Sequence, residues 1–297
     1  MTKRCGFIAL IGTPNAGKST LMNNLVGAKV AIVTHKVQTT RSRITGVAMA
    51  GDAQLVFLDT PGIFDPKRRL ERAMVNAAWG GVEGADQVAL LIDAKKGLDD
   101  GTIKIIEALK NQGAKVIAVL NKVDLVEKPN LLTLAGQIEK AGIFSHIFMI
   151  SALTGDGVAD LKSYLAENVP ESPWHYPPDQ IADITQRLMA SEITREKIYL
   201  KLHQELPYAS TVETESWEEK KDGSVKISQI IYVDRKSQKG IVIGKGGAML
   251  KLLGAEARAE MEETFSRKVH LFLFVKVAEK WSEQRTHYHA MGLDYVE

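Results

Sequence analysis

The sequence predicts an α/β domain built on a mostly parallel sheet, followed by a smaller α+β domain. Three observations carry this prediction. Short apolar runs alternate with charged, helix-spaced stretches through the first half, the order of a sheet covered by helices on both faces. Four prolines fall within ten residues, from Val169 to Pro178, which neither a helix nor a central strand tolerates. Beyond them the order changes to helix, strand, strand, helix, helix, strand and a last helix. The length of 297 residues corresponds to about two domains at roughly 150 residues each. Each half can then bury a core without a disulfide or a structural metal.

In the first domain, residues 1–168, strands are expected at 7–11, 44–49, 55–58, 88–92, 116–120 and 147–150. Continuous apolar runs such as Val88-Ala89-Leu90-Leu91-Ile92 suit burial on both faces. Segments 44–49 and 55–58 lie too close together for a crossover helix, so they should pair antiparallel on one edge. Residues 169–180 read as a linker. In the second domain, 181–297, a helix over about 183–205 precedes strands at 208–217 and 225–233, joined by the turn Lys221-Asp222-Gly223-Ser224. A glycine-rich stretch, a helix at 248–264, a strand at 269–277 and a helix from about 280 complete it. No internal repeat is visible, so the halves are not copies of each other.

Composition excludes whole classes. Apolar residues at 45% and charged residues at 25% are ordinary for a globular chain and rule out a disordered, collagen-like or low-complexity protein. A single cysteine, Cys5, fits a reducing compartment. No leader-like segment follows Met1-Thr2-Lys3-Arg4, and no apolar run approaches the roughly 20 residues of a membrane span, so the cytoplasm is expected. Net charge is only +2, and residues 181–297 balance at eighteen basic and eighteen acidic side chains. The charges are unevenly spread, however. Four acids and no base occupy 213–219, whereas 225–251 carries Lys226, Arg235, Lys236, Lys239, Lys245 and Lys251 against Asp234 alone. That stripe is the form a confined phosphate-contacting surface takes. His287 and His289, two apart on a helix, point to different faces and read as surface residues rather than a metal pair.

Gly12-Thr13-Pro14-Asn15-Ala16-Gly17-Lys18-Ser19-Thr20 follows a strand and opens a helix. Its spacing, glycine, four residues, then glycine-lysine-serine, cradles phosphates. The glycines let consecutive N–H groups turn inward, and the helix N-terminus adds partial positive charge. Lys18 can reach β- and γ-phosphate oxygens, and the Ser19 hydroxyl can ligate Mg²⁺. Asp59-Thr60-Pro61-Gly62 also ends a strand, where Asp59 can hold the magnesium shell and the Gly62 N–H can follow a γ-phosphate. Asn121-Lys122-Val123-Asp124 ends another. The Asp124 carboxylate can accept from both guanine N1–H and N2–H, donors that adenine does not offer there. Lys122 would lie over the base, and Asn121 would tie this loop to the phosphate site. Ser151-Ala152-Leu153 could direct the Ala152 N–H at guanine O6.

In this order the motifs resemble the translation-factor-related GTPases, over about residues 4–168. The resemblance implies a first switch segment at Gln38-Thr39-Thr40-Arg41, with a threonine for magnesium; either threonine could serve, and Thr40 is favoured. Ile63 stands where many relatives carry a water-orienting glutamine, and an isoleucine cannot hydrogen-bond water. Hydrolysis should therefore be slow, partner-stimulated and driven by positioning and charge neutralisation through Lys18, Thr40 and Gly62. Asn15 matches the asparagine with which related GTPases bind K⁺.

In the second domain, Ile243-Gly244-Lys245-Gly246-Gly247, between apolar helical turns and followed by Lys251, resembles the glycine loop of a type II KH domain. A phosphate-loop GTPase followed by such a domain resembles the Era family over nearly the whole chain. The resemblance implies a monomer using GTP/GDP and Mg²⁺. It also implies binding to the 3′ region of 16S ribosomal RNA, maturation of the small ribosomal subunit and peripheral association with the inner membrane. Two rival readings remain: an RNA-binding module that GTP merely stabilises, and a GTPase whose second domain binds protein.

Overall fold

The computed structural model describes residues 3–113 and 116–297; Met1 and Thr2, at the start of the segment read as leaderless, lie outside them. The chain divides into two compact units. One runs to Ala31 and resumes over Thr40–Asp183; the other comprises Ile32–Thr39 and Ile184–Glu297.

The first unit is a seven-stranded sheet. Its strands are β1 (Arg4–Gly12), β2 (Ile44–Ala50), β3 (Ala53–Asp59), β4 (Gln87–Asp93), β5 (Val116–Asn121), β6 (Phe144–Ile150) and β7 (Ala182–Asp183). The order is β6-β5-β4-β1-β3-β2-β7, parallel except where β2 pairs with β3 and with β7. Helices α1 (Lys18–Val26), α2 (Arg69–Glu83), α3 (Asp100–Asn111), α4 (Lys128–Glu139) and α5 (Val158–Asn168) accompany it. Successive β1 residues explain the unbroken apolar pattern. Ile8 and Leu10 join a core with Leu21, Leu25 and Leu161, while Ala9 and Ile11 join another with Ala78, Ile105 and Leu109. The central strands are buried on both sides, and the registers Leu10↔Asp59, Gly12↔Leu91, Asp93↔Asn121 and Asn121↔Ile150 bring five strand ends to one edge.

The β2–β3 hairpin pairs antiparallel, but β2 is not the outermost strand, because Ala182–Asp183 extends the sheet beyond it. The proline-rich stretch is correspondingly fastened down. Buried Gln54 accepts from the N–H groups of His175 and Tyr176 and donates to the Tyr176 carbonyl, and Glu171 bridges Arg4. Prolines forbid regular structure but leave carbonyls and intervening N–H groups available. The units part between Asp183 and Ile184.

The second unit is a three-stranded sheet of β8 (Ser210–Glu219), β9 (Val225–Val233) and β10 (Val269–Val277), ordered β10-β9-β8. Helices α6 (Gln186–Lys201), α7 (Lys236–Ile243) and α8 (Ala248–Phe265) pack on one face. The first of these starts at Gln186 rather than near 183 because the Thr185 hydroxyl caps it, accepting from the Leu188 N–H. The last helix, α9 (Arg285–Met291), contains a correction. His289 is exposed, but His287 is buried, hydrogen-bonded through Nδ1 to Glu213 and packed 4.7 Å from the Tyr232 ring. The two-residue spacing separates the faces of these histidines; it does not tell which face meets the sheet.

Candidate nucleotide site and candidate RNA interface

The loop between β1 and α1 has the backbone its glycines allow. Gly17 sits at φ 99°, and a Cβ there would fall 2.1 Å from Asn121 Nδ2. Asn15 is also left-handed, at φ 64°. Lys18 folds back so that Nζ donates to the Gly12 and Thr13 carbonyls at 3.2 and 3.1 Å. Its burial lowers its pKa to about 8, opposed by the charge of Asp59.

Asp59 is wholly buried at the end of β3. Burial raises its pKa to about 6, against the opposing pull of the Ser19 hydroxyl, the Lys18 charge and Thr40. Ser19 Oγ lies 2.6 Å from Asp59 Oδ2 and 2.9 Å from Thr40 Oγ1, and Thr40 Oγ1 lies 3.3 Å from the same carboxylate oxygen. Asp59 Oδ1 is buried without a hydrogen-bond partner. Two hydroxyls and a carboxylate converge, with one oxygen left over, and all are hard oxygen donors. These residues fit Mg²⁺ and its water shell. The hydroxyl of Thr39 turns elsewhere, to Thr34 Oγ1 and the Lys36 carbonyl.

Thr60 is structural in its side chain, donating from Oγ1 to the Leu10 carbonyl at 2.8 Å. Gly62 approaches the phosphate loop so closely that a Cβ would lie 2.8 Å from Pro14 Cα. The next N–H, of Ile63, donates to the Gly12 carbonyl, and the Ile63 side chain is buried. Pro61 lies between these contacts and is itself buried.

At the base end, Asn121 Nδ2 donates to the Ala16 carbonyl at 2.8 Å, linking the two loops. Lys122, at φ 67°, donates from Nζ to the Asn15 carbonyl at 2.7 Å and to Asp93 Oδ2 at 2.6 Å. Asp124 is exposed in the turn that follows. The Ala152 N–H, expected to face guanine O6, donates to Asn121 Oδ1 at 2.9 Å. Ser151 is buried and Leu153 is 81% exposed. Sequence reasoning missed Asp93 and Asn24, whose Nδ2 donates to the Ala152 carbonyl. Asp93 did leave a signal, as an acid closing a parallel strand at the edge where ligands bind. It also missed Arg195, Glu196 and Tyr199 of α6. Arg195 donates to the Thr39 carbonyl, Glu196 accepts from the Val33 N–H at 2.9 Å, and the Tyr199 hydroxyl donates to the Gln38 carbonyl at 3.2 Å.

In the second unit the glycine loop connects α7 to α8. Gly244, Gly246 and Gly247 have φ of 73°, 60° and 81°, and a Cβ on Gly244 would lie 2.8 Å from the Met249 N. Lys245, Gly246 and Lys251 are exposed, Ile243 is half-buried, and Ile241 and Leu252 flank the loop as exposed apolar side chains. A backbone-lined cationic tip beside apolar surface can take a phosphodiester strand and its bases.

Comparison with known proteins agrees with both halves. A family model described as 50S ribosome-binding GTPase matches residues 7–122, and a KH domain model matches 205–282. The GTPase Era of Brucella suis biovar 1 is 58% identical over 292 residues, covering 98% of this chain and 94% of that one. The GTPase Era of Rhizobium meliloti is 57% identical, with 98% and 93% covered. Among solved structures, a tyrosine-to-alanine variant of Aquifex aeolicus Era bound to GDP·AlF₄⁻ superposes with a TM-score of 0.93 at 37% identity, covering 97% of this chain and 99% of that one. An Era solved with MgGDPNP and nucleotides 1506–1542 of 16S ribosomal RNA gives 0.94 at 37% identity, with 98% and 99% covered. With the phosphate loop, the guanine-reading loop and the KH domain all present in one chain, this protein belongs to the Era family of GTPases.

Proposed function

We propose that the domain at 1–168 binds and hydrolyses GTP while the KH domain at 181–297 binds the single-stranded 3′ region of 16S ribosomal RNA. In this reading the protein acts as a monomer in the cytoplasm and promotes maturation of the small ribosomal subunit. The observation that carries it is the convergence of Ser19, Thr40 and Asp59 beside Lys18. Mg²⁺, when bound, neutralises charge on the β- and γ-phosphates. Around it, Lys18 supplies a fixed cation, the Gly62 N–H follows the γ-phosphate, and Asn121 and Lys122 lock the base-reading loop to the phosphate loop. Asp124 selects guanine. No helix among the described residues is long and apolar enough to cross a membrane, so the membrane association that the family resemblance suggests would be peripheral.

RNA affinity, measured with a GTP analogue, GDP and no nucleotide, tests the coupling. It should differ between the GTP-analogue and GDP states; identical values would reduce GTP to a stabiliser of the fold. Lys245→Asp with Gly246→Asp should weaken RNA binding tenfold or more, since each added acid meets a phosphate. Gly246 is the better position than Gly244, because nothing lies within 4 Å of a Cβ there and its φ of 60° and ψ of 21° fall in the left-handed helical region that aspartate adopts more readily than most residues.

Asn15 supports a further element, a K⁺ ion beside the phosphates. The Ile63 side chain cannot orient water, so an extra cation would offset transition-state charge. Turnover should be several-fold faster in potassium than in sodium buffer at equal ionic strength; equal rates would remove K⁺ from the scheme.

A further inference from the structure

The face of the second unit's sheet turned away from α7 and α8 meets His287 of α9 at Tyr232, and along β10 it carries a row that neither the nucleotide site nor the glycine loop uses. Strand β10 is outermost. Its odd residues, from Val269 to Val277, join the cores under the helices. Its even residues His270, Phe272, Phe274 and Lys276 therefore face the other way, and Phe272 and Phe274 are 47% and 51% exposed. The strand, VHLFLFVKV, contains no acid, and Lys268 immediately precedes it. On β9, Lys226 pairs in register with His270 and holds Nζ 5.8 Å from the Phe272 ring centre.

We propose that this face is a second docking surface for single-stranded RNA, on which Phe272 and Phe274 each stack a base while Lys226 and Lys276 hold the backbone. The inference rests on the RNA-binding reading above and extends it to the opposite side of the sheet from α7 and α8. Two residues along a strand are roughly 6.6 Å, about twice the 3.4 Å step of a stacked strand. Successive rings can thus receive bases drawn out of their own stack, as aromatic side chains on other RNA-binding sheets do. Charge favours a polyanion over a peptide. β10 itself carries no acid; the acids of this face lie on β8 and the turn after it, where Glu218 and Glu215 reach Lys226 and Lys276 only at 3.6 Å, Glu213 is engaged by His287, and Asp222 lies near His270. The four side chains of the two lysine pairs are about half exposed, so these pairs contribute little and yield readily to phosphate. Exposed ring pairs on an edge strand also invite aggregation, which makes them expensive to retain without a partner.

The test uses the full chain with a GTP analogue and labelled random-sequence RNAs of 5 and 12 nucleotides. The shorter fills the glycine-loop groove, which clamps about four. Replacing Phe272 and Phe274 together by alanine should weaken the 12-mer tenfold or more and leave the 5-mer unchanged. Phe274→Trp should show emission quenched by the 12-mer beyond that of the native tryptophans. Unchanged 12-mer affinity and no added quenching, with Lys245→Asp still weakening both RNAs, would overturn the proposal while leaving the glycine-loop site intact. An equal loss for both lengths without quenching would also overturn it. So would a change in sedimentation of the RNA-free double variant, which would assign the face to a second copy of the chain. If neither RNA binds the unaltered protein, the RNA-binding reading itself falls.

Discussion

Asp124→Asn should lower GTP affinity by roughly 10²–10⁴-fold and raise affinity for xanthosine triphosphate. Two charge-assisted hydrogen bonds from guanine are each worth about 1.5–3 kcal/mol. Asparagine can accept only one, and its amide N–H₂ then confronts a guanine donor. Xanthine presents a carbonyl at that position and satisfies the amide. The change is local because Asp124 is exposed, whereas the loop is held by Asn121 on Ala16 and by Lys122 on Asn15 and Asp93. Calorimetric titration with both nucleotides reads the switch directly. Retained preference for GTP would show that the base is read elsewhere.

Asp59→Asn should have the second large effect, a loss of hydrolysis of roughly three orders of magnitude, because a metal's charge stabilisation is worth several kcal/mol. Single-turnover hydrolysis across a magnesium titration measures it, and saturation at the normal metal concentration would contradict the assignment. The same substitution should stabilise the protein when nucleotide and metal are absent. The buried carboxyl has its pKa raised to about 6, whereas an unfolded aspartate titrates near 3.9. Between those values the folded state holds more protons, so this contribution is complete below about pH 4 and is lost as pH rises through 6. At pH 7 the buried charge then costs up to about 3 kcal/mol. Urea midpoints in EDTA should place the variant above wild type at pH 7 and close to it below pH 4. Lys18, lowered to about 8, lies above this window in the wild type; without the opposing charge of Asp59 it moves lower still, which relieves its buried charge and adds to the variant's advantage at pH 7.

Much of this was legible beforehand because it depends on local sequence. The unbroken apolar run of β4 reads as a doubly buried strand, and Val225–Val233 and Val269–Val277 have the bounds expected of them. The phosphate loop and glycine loop were readable for the same reason, since left-handed φ and close backbone approach select glycine at fixed spacing. His287 was misplaced because its environment comes from Glu213 and Tyr232, more than fifty residues away in sequence. Spacing within a seven-residue helix contains no information about such neighbours. The pairing of Ala182–Asp183 with β2 was equally invisible, because a two-residue strand has no period to detect.

By itself, then, the amino-acid order determined that a triphosphate loop, a guanine-reading loop and a KH loop exist, and where along the chain each lies. Only tertiary structure decided which threonine meets Ser19 and Asp59. Thr39 and Thr40 are identical in chemistry and adjacent in sequence, yet one hydroxyl bonds Thr34 and the other reaches the carboxylate. Tertiary structure likewise paired Lys122 with Asp93 and left Phe272 and Phe274 facing outward on an edge strand. The physical reason is that propensity, turn chemistry and periodicity act over a few residues. Burial and the direction of a hydroxyl are set by distant segments that the fold brings alongside.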